Sequence, residues 1–386
     1  MEEGSGSVYF DNAATTYPKP ESVYLEVDRF MREVGGSAGR SGHRRALDTG
    51  RMVFSARAAL ADLIGASDPL RLAFTKNATE AINIAIRGAL KPGDHVVTSS
   101  VEHNSVMRPL EALRDIGVEY SVAQCRSDGS LDPGAISASM LPRTALVVIN
   151  HASNVTGAVL PVEDAAEIAH SSGALLLVDA AQTAGRRPLD VGSGGIDMLA
   201  FTGHKELFGP QGTGGLYVRD GLEVRPLMYG GTGSHSSSLE QPREMPDACE
   251  SGTLNAPGIA GLAAGVDHVV RTGLEEIIGH ERELTERLIE GLRGLRGVRV
   301  HGPGDPDARV GIVALTFDDI TPTGAADTLD RRYGISCRAG LHCSPMAHRT
   351  IGTLRTGALR VSFSNMNQTG EVDYFLDCLG EMLSRR

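Results

Sequence analysis

Three short polar stretches, each following an apolar run, hold residue types that make sense together. After Leu72–Phe74 come Thr75, Lys76, Asn77, Ala78, Thr79 and Glu80, opening a helical pattern. A helix N-terminus with free N–H groups and a hydroxyl is a natural phosphate cradle. After Ala174–Val178 comes Asp179, and after Met198–Phe201 come Thr202, Gly203, His204 and Lys205. Singly, these are a helix cap, a turn acid and a loop lysine, all common. Together they are the fittings that pyridoxal phosphate requires. The lysine forms the Schiff base, the acid pairs with the pyridinium nitrogen, and the helix terminus holds the phosphate.

The intervening elements must bring these stretches to one place. Candidate strands are Leu72–Phe74, His95–Thr98, Ala145–Asn150, Ala174–Asp179, Met198–Phe201 and Gly215–Val218. Several are continuous Val/Leu/Ile runs, as in strands covered on both faces. Glu80–Leu90 and Val162–His170 read as helices between them. Strands alternating with helices predict an α/β domain with a mostly parallel sheet, whose ligands collect beyond the carboxyl ends of the strands. Beyond Tyr229 the pattern changes. Gly230–Pro246 reads as a long mobile loop, and Leu284, Leu288 and Leu292 mark a long amphipathic helix. Strands near Val310–Phe317 and Leu359–Phe363 belong to a smaller α+β domain. The expected division is an N-terminal segment 1–15 near the active site, a large domain 16–258 and a small domain 259–386.

The bulk figures narrow the class. At 386 residues the chain is long enough for about two domains. A net charge of −11 argues against nucleic acid or anionic membrane as the main partner. No apolar run approaches the ~20 residues of a membrane span, and the acidic, Gly/Ser-rich start resembles no signal peptide. The expected location is the cytoplasm. Five scattered cysteines without a C-x-x-C pair suit a reducing compartment. The spacing of Cys337, His342, Cys343 and His348 fits no usual zinc pattern, so no metal is expected.

At Val178-Asp179-Ala180-Ala181-Gln182 and Thr202-Gly203-His204-Lys205 the sequence resembles the class V aminotransferase family of fold-type I pyridoxal-phosphate enzymes. Within that family it resembles the cysteine desulfurase and selenocysteine lyase group. The likeness runs from Tyr9-Phe10-Asp11-Asn12-Ala13-Ala14 nearly to the C-terminus. It implies that Lys205 carries the cofactor and moves the substrate Cα proton, and that Asp179 keeps the ring nitrogen protonated. His103 would stack on the ring, and Asn154 and Gln182 would contact substrate or the cofactor's phenolic oxygen. Ala78, Thr79, Thr202 and His204 match the phosphate positions. Thr253 and His43 resemble residues of a site shared across a homodimer, although Leu254 stands where many relatives have proline.

The segment Arg338-Ala339-Gly340-Leu341-His342-Cys343-Ser344-Pro345 resembles the cysteine-bearing loop of the second group of desulfurases. That likeness implies an L-cysteine desulfurase, in which Cys343 takes the sulfur as a persulfide and L-alanine leaves. Thiolate character needs nearby positive charge, which Arg338 and His342 could supply. Arg360, sharing the task with Arg338, resembles the arginine that clamps the substrate carboxylate. Asn12 and Ala13 would line the pocket. A selenocysteine lyase acting on L-selenocysteine, or a C–S β-lyase giving pyruvate, remains open on the same scaffold. Persulfide sulfur also requires an acceptor protein or thiol.

Overall fold

The computed structural model describes residues 7–39, 42–234 and 237–384. The chain opens with β1 (Val8–Tyr9), α1 (Glu21–Arg29) and α2 (Arg44–Leu63). The alternating section follows: β2 (Leu72–Thr75), α3 (Ala78–Ala89), β3 (His95–Ser99), α4 (Asn104–Leu113), β4 (Glu119–Ala123), α5 (Pro133–Ser139) and β5 (Thr144–Asn150). It continues through α6 (Val162–Ser171), β6 (Leu175–Asp179), β7 (Met198–Thr202) and β8 (Gly214–Val218). These strands form one sheet in the order β2-β8-β7-β6-β5-β3-β4. Only β8 is reversed, running antiparallel to both β2 and β7, so the sheet is mostly parallel as its sequence predicts.

The continuous apolar runs have a direct cause. Val147 and Ile149 of β5 enter one core layer with Leu176, Val178 and Leu199, covered by α2, α6 and α7 (Ala256–Thr272). Their neighbours Leu146 and Val148 enter the opposite layer with Leu177, Met198 and Ala200, beneath α3 and α4. Side chains alternate faces along a strand, so a sheet covered on both sides needs apolar residues at every position.

The remaining elements are α8 (Leu274–Arg293), β9 (Val298–His301), β10 (Ile312–Phe317), α9 (Pro322–Tyr333), β11 (Ile335–Ser336), β12 (Arg338–Gly340), α10 (Pro345–Thr350), β13 (Ala358–Ser362) and α11 (Thr369–Ser384). Strands β12-β13-β10-β9 form an antiparallel sheet, and β1 pairs in parallel with β11. Leu284, Leu288 and Leu292 pack with Val313, Leu315, Val361, Phe375 and the N-terminal Val8 and Phe10. The N-terminal strand therefore belongs to the small domain's core.

Ile259, Leu262 and Val266 of α7 lie in the large domain's core layer, whereas Leu284, Leu288 and Leu292 of α8 pack in the small one; between them Val269 of α7 and Ile277 of α8 share a cluster with Val23 and Phe208. The passage from one core to the other thus runs through the end of α7 and the first turn of α8. The shift in composition near Tyr229 marks only where the irregular stretch begins. Arg186 ties the two units together behind the lysine. Its buried guanidinium reaches Glu206 at 2.7 Å, Glu281 of α8 at 2.8 Å and the carbonyl of Phe363 at 2.5 Å.

Candidate active site

The carboxyl ends of β2, β3, β5, β6 and β7 open into a cleft of about 250 Å³. On one wall stand the N-termini of α3 and α4. Asn77 caps α3 by accepting from Glu80 N–H at 3.0 Å, and no partner among the described residues meets the N–H groups of Ala78 and Thr79. The first N–H groups of a helix have no intrahelical acceptor, so these two are available to an anion. His103 caps α4 through Nδ1, which accepts from Ser105 N–H at 3.0 Å and lies 2.7 Å from Ser105 Oγ. Burial, together with the charge of Lys205, pulls His103 down to about 4, so the ring is neutral at pH 7. With Nδ1 accepting, Nε2 carries the proton. Ser105 then donates to His103 and accepts from Thr79 Oγ1 at 2.7 Å, joining the two helix ends.

Opposite lie the lysine and its counter-charge. Lys205 follows β7 through Gly203, where a Cβ would collide with Thr213 Oγ1, so no larger residue fits this turn. The Lys205 amine makes no hydrogen bond or ion pair with the described residues. Burial pulls it down to about 8, against the attraction of Asp179. Asp179 ends β6, and one of its oxygens accepts from Ala181 N–H at 2.9 Å. Burial raises its carboxyl, while that N–H and the Lys205 charge oppose the rise. Gln182 donates to the Ala13 carbonyl at 3.1 Å, but its Oε1, like His204 Nδ1, is buried and unpartnered among the described residues. Thr202 and His204 also line the cleft, and burial draws His204 to about 4.

These residues fit pyridoxal phosphate. Unpaired buried polar groups cost free energy, and here they share one cleft. An unpartnered amine, free helix N–H groups and two orphaned side-chain polar atoms around a buried acid are what a polar ring bearing a phosphate would satisfy.

The small domain supplies the third wall. Cys343 is exposed and lines the cleft. His342 and Cys343 both adopt left-handed backbone, with φ of 50° and 57°. For residues other than glycine this costs about 1–2 kcal/mol each, so the turn must be held from outside. Asn104 N–H donates to the Cys343 carbonyl at 2.8 Å. Asn154 Nδ2 donates to the His342 carbonyl at 2.8 Å, and its Oδ1 accepts from Ser344 Oγ at 2.7 Å. Asn154 lines the cleft as expected of a substrate or cofactor contact, and its side chain also clamps the cysteine loop. One expectation about the thiol's surroundings changes. Burial and the nearby Arg360 hold His342 down at about 3, so it is neutral and supplies no positive charge to the thiol.

Arg338 lines the cleft, exposed and without an ion pair among the described residues. Arg360 is buried beside it, but already held: Nη2 meets Asp11 Oδ1 at 2.6 Å and Nη1 donates to the Asn154 carbonyl at 3.1 Å. A substrate carboxylate therefore meets Arg360 in the company of Asp11. The Tyr9–Ala14 segment contained that residue, but nothing local to it points to a partner 349 positions away.

Not every expected residue reaches the cleft. Ala13 does; Asn12 does not, because its amide donates to the Tyr9 and Ser362 carbonyls and to Asn367 while its oxygen accepts from Tyr17 N–H. Asn12 pins the N-terminal segment instead. His43 is exposed and caps α2 through Ala46 N–H at 3.2 Å. Thr253 lines a separate surface hollow with Gly39, Phe54 and Arg57. Its segment is anchored by Glu250, paired with buried Arg57 at 2.6 Å and accepting from Phe74 N–H. Within one chain, then, His43 and Thr253 stand apart from the other candidates.

The profile of the family Aminotransferase class-V matches residues 8–375. The chain is 36% identical to a probable cysteine desulfurase of Methanothermobacter thermautotrophicus, over 97% of this chain and 94% of that protein. It is 34% identical to a cysteine desulfurase of Gluconacetobacter diazotrophicus, over 98% and 94%. Among solved structures, the apo cysteine desulfurase from Thermococcus onnurineus superposes with a TM-score of 0.93 at 32% identity, covering 98% of this chain and 95% of that one. The cysteine desulfurase CsdA from Escherichia coli, in its S-sulfonic acid form, gives 0.89 at 29% identity, covering 98% and 95%.

Proposed function

The chain belongs to the class-V aminotransferases, and on that premise we propose that it is a pyridoxal-phosphate-dependent L-cysteine desulfurase using Cys343 as sulfur acceptor. The observation that carries this reading is a thiol on a clamped loop in the same cleft as Lys205, Asp179 and His103. Names of the similar proteins point the same way.

In this reading Ala78, Thr79, Thr202 and His204 hold the cofactor's phosphate, Asp179 its ring nitrogen, and His103 and Gln182 its ring and oxygen. The bound cofactor supplies an electron sink that labilises bonds at the substrate's Cα and Cβ. Arg338 and Arg360 orient the substrate carboxylate. Lys205, drawn down to about 8, exists partly as a free amine near neutral pH and can take and return the Cα proton. Neutral His103 can donate through Nε2–H without adding charge. The Cys343 thiolate attacks the substrate sulfur; an S–S bond forms as the Cβ–S bond breaks. The electron pair stays with the carbon side, which takes up protons to become alanine. A thiol acceptor then removes the sulfane sulfur from Cys343.

Product analysis tests the reading. Purified holoenzyme given L-cysteine and a reductant should yield alanine and sulfide in equal amounts. Pyruvate with sulfide would place the reaction among the C–S β-lyases instead.

A homodimer is part of the same proposal, since His43 and Thr253 can serve a cleft only in a second copy. Tyr24, Leu25, Met31, Leu47 and Phe54 of the N-terminal helical region are exposed apolar residues that such a copy would cover. Sedimentation should give twice the 40.7 kDa of one chain, and Phe54→Asp should shift the protein toward monomer with loss of cofactor affinity.

A further inference from the structure

Besides the clamps from Asn154 and Asn104, a second set of bonds reaches the cysteine loop from behind. His342 Nε2 lies 3.3 Å from the Arg338 carbonyl, which can only accept, so Nε2 carries a proton. The ring is neutral, which leaves Nδ1 as an acceptor. His348 Nε2 lies 3.2 Å from that Nδ1 and must be the donor, with the two rings stacked at 5.4 Å. His348 is fully buried and neutral as well, so its Nδ1 accepts from Thr353 Oγ1 at 2.7 Å. The donors run one way: Thr353 to His348, His348 to His342, His342 to the backbone at Arg338.

We propose that His348, supported by Thr353, is a positioning residue for sulfur transfer, holding His342 and thereby the left-handed turn that presents Cys343 to the cleft. The proposal rests on the reading that Cys343 accepts the sulfur. His348 touches neither the cleft nor the thiol; it acts only through its neighbour. The relay starts at Thr353, just after α10, passes through His348 on that helix and returns to the strand just before the loop, so it closes the loop by a side-chain path. Buried apolar packing could fill the same volume without fixing the orientation of His342. The direction of the hydrogen bonds is the feature that packing alone does not require.

The decisive comparison is His348→Met against His348→Gln, with Thr353→Val as a milder break. A glutamine amide can donate to His342 and accept from Thr353; methionine can do neither. In the holoenzymes, persulfide formed on Cys343 and the alkylation rate of Cys343 by iodoacetamide would be followed by peptide mass spectrometry. Cofactor absorbance and thermal melting would be recorded alongside. His348→Met should slow persulfide formation about 10- to 100-fold and alter Cys343 alkylation, with cofactor absorbance and KM unchanged. Thr353→Val should do so more weakly, and His348→Gln should recover most of the rate. Wild-type rates in both His348→Met and Thr353→Val, or equal impairment in His348→Gln and His348→Met, would overturn the proposal. Should the wild-type protein form no persulfide, the functional reading fails, and the alkylation rates still decide the role of His348.

Discussion

Alanine in place of Cys343 should abolish sulfur transfer and leave the cofactor in place. The argument begins with what remains in the cleft. Lys205, Asp179, His103 and the two helix ends are untouched by the change, so cofactor absorbance and affinity should match the parent. The loop should also keep its shape. Cys343 sits at φ 57°, a strain that alanine bears as cysteine does, and the clamps from Asn104 and Asn154 engage backbone carbonyls and Ser344, not the thiol. No other cysteine can take over. Burial raises Cys249 and Cys337 to about 12, Cys125 is also raised, and Cys378 is buried in the small domain's core. Alanine formation from L-cysteine should therefore fall by at least about 10³-fold, since the step loses its nucleophile and not a helper. Alanine release at the parent rate by Cys343→Ala would remove the thiol from the mechanism.

Much of this site is readable in the sequence because strand ends are. Five parallel strands deliver their next residues to one edge, so Thr79, His103, Asn154, Asp179 and Lys205 had to meet once the strands were placed. What escaped has physical causes. Strand β4 was missed because it is a sheet edge, and its Glu119–Val122 stretch is at most half-buried and carries no continuous apolar run. Helix α7 was missed as a separate element because its Ala- and Gly-rich face allows close packing on α1 and α2 rather than showing a leucine stripe. The clamp made by Asn154 joins residues 188 positions apart, and the Asp11–Arg360 pair spans nearly the whole chain. His342 looked like a source of positive charge because sequence shows a residue's type but not its burial. His348 had no visible role at all, since its meaning lies in the direction of one hydrogen bond.

Lys205→Met should cost activity and add stability, and both effects follow from the buried amine it removes. The amine sits where burial lowers its pKa from 10.5 to about 8, a cost of about 3 kcal/mol to the charged form. The sign follows from the depressed folded value. Below about pH 8 the lysine is protonated in both folded and unfolded chains, so the folded state bears the full penalty. Between about 8 and 10.5 the folded state releases its proton first and the penalty fades; above that range it is gone. Methionine fills similar space without charge, yet it also deprives Asp179 of its cation, which returns part of the gain. Cofactor-free Lys205→Met should therefore be more stable than the cofactor-free parent by about 1–3 kcal/mol at pH 7. That advantage should shrink as denaturant titrations move toward pH 10. With L-cysteine the same variant should lose about 10³- to 10⁴-fold or more, having neither a covalent anchor nor a base for the Cα proton. Equal stability of the two cofactor-free proteins from pH 7 to 10 would mean that the amine is hydrated in the empty cleft. A stability gain with lost turnover would show the cleft withholding solvation from the group it uses, as a site preorganised for catalysis must.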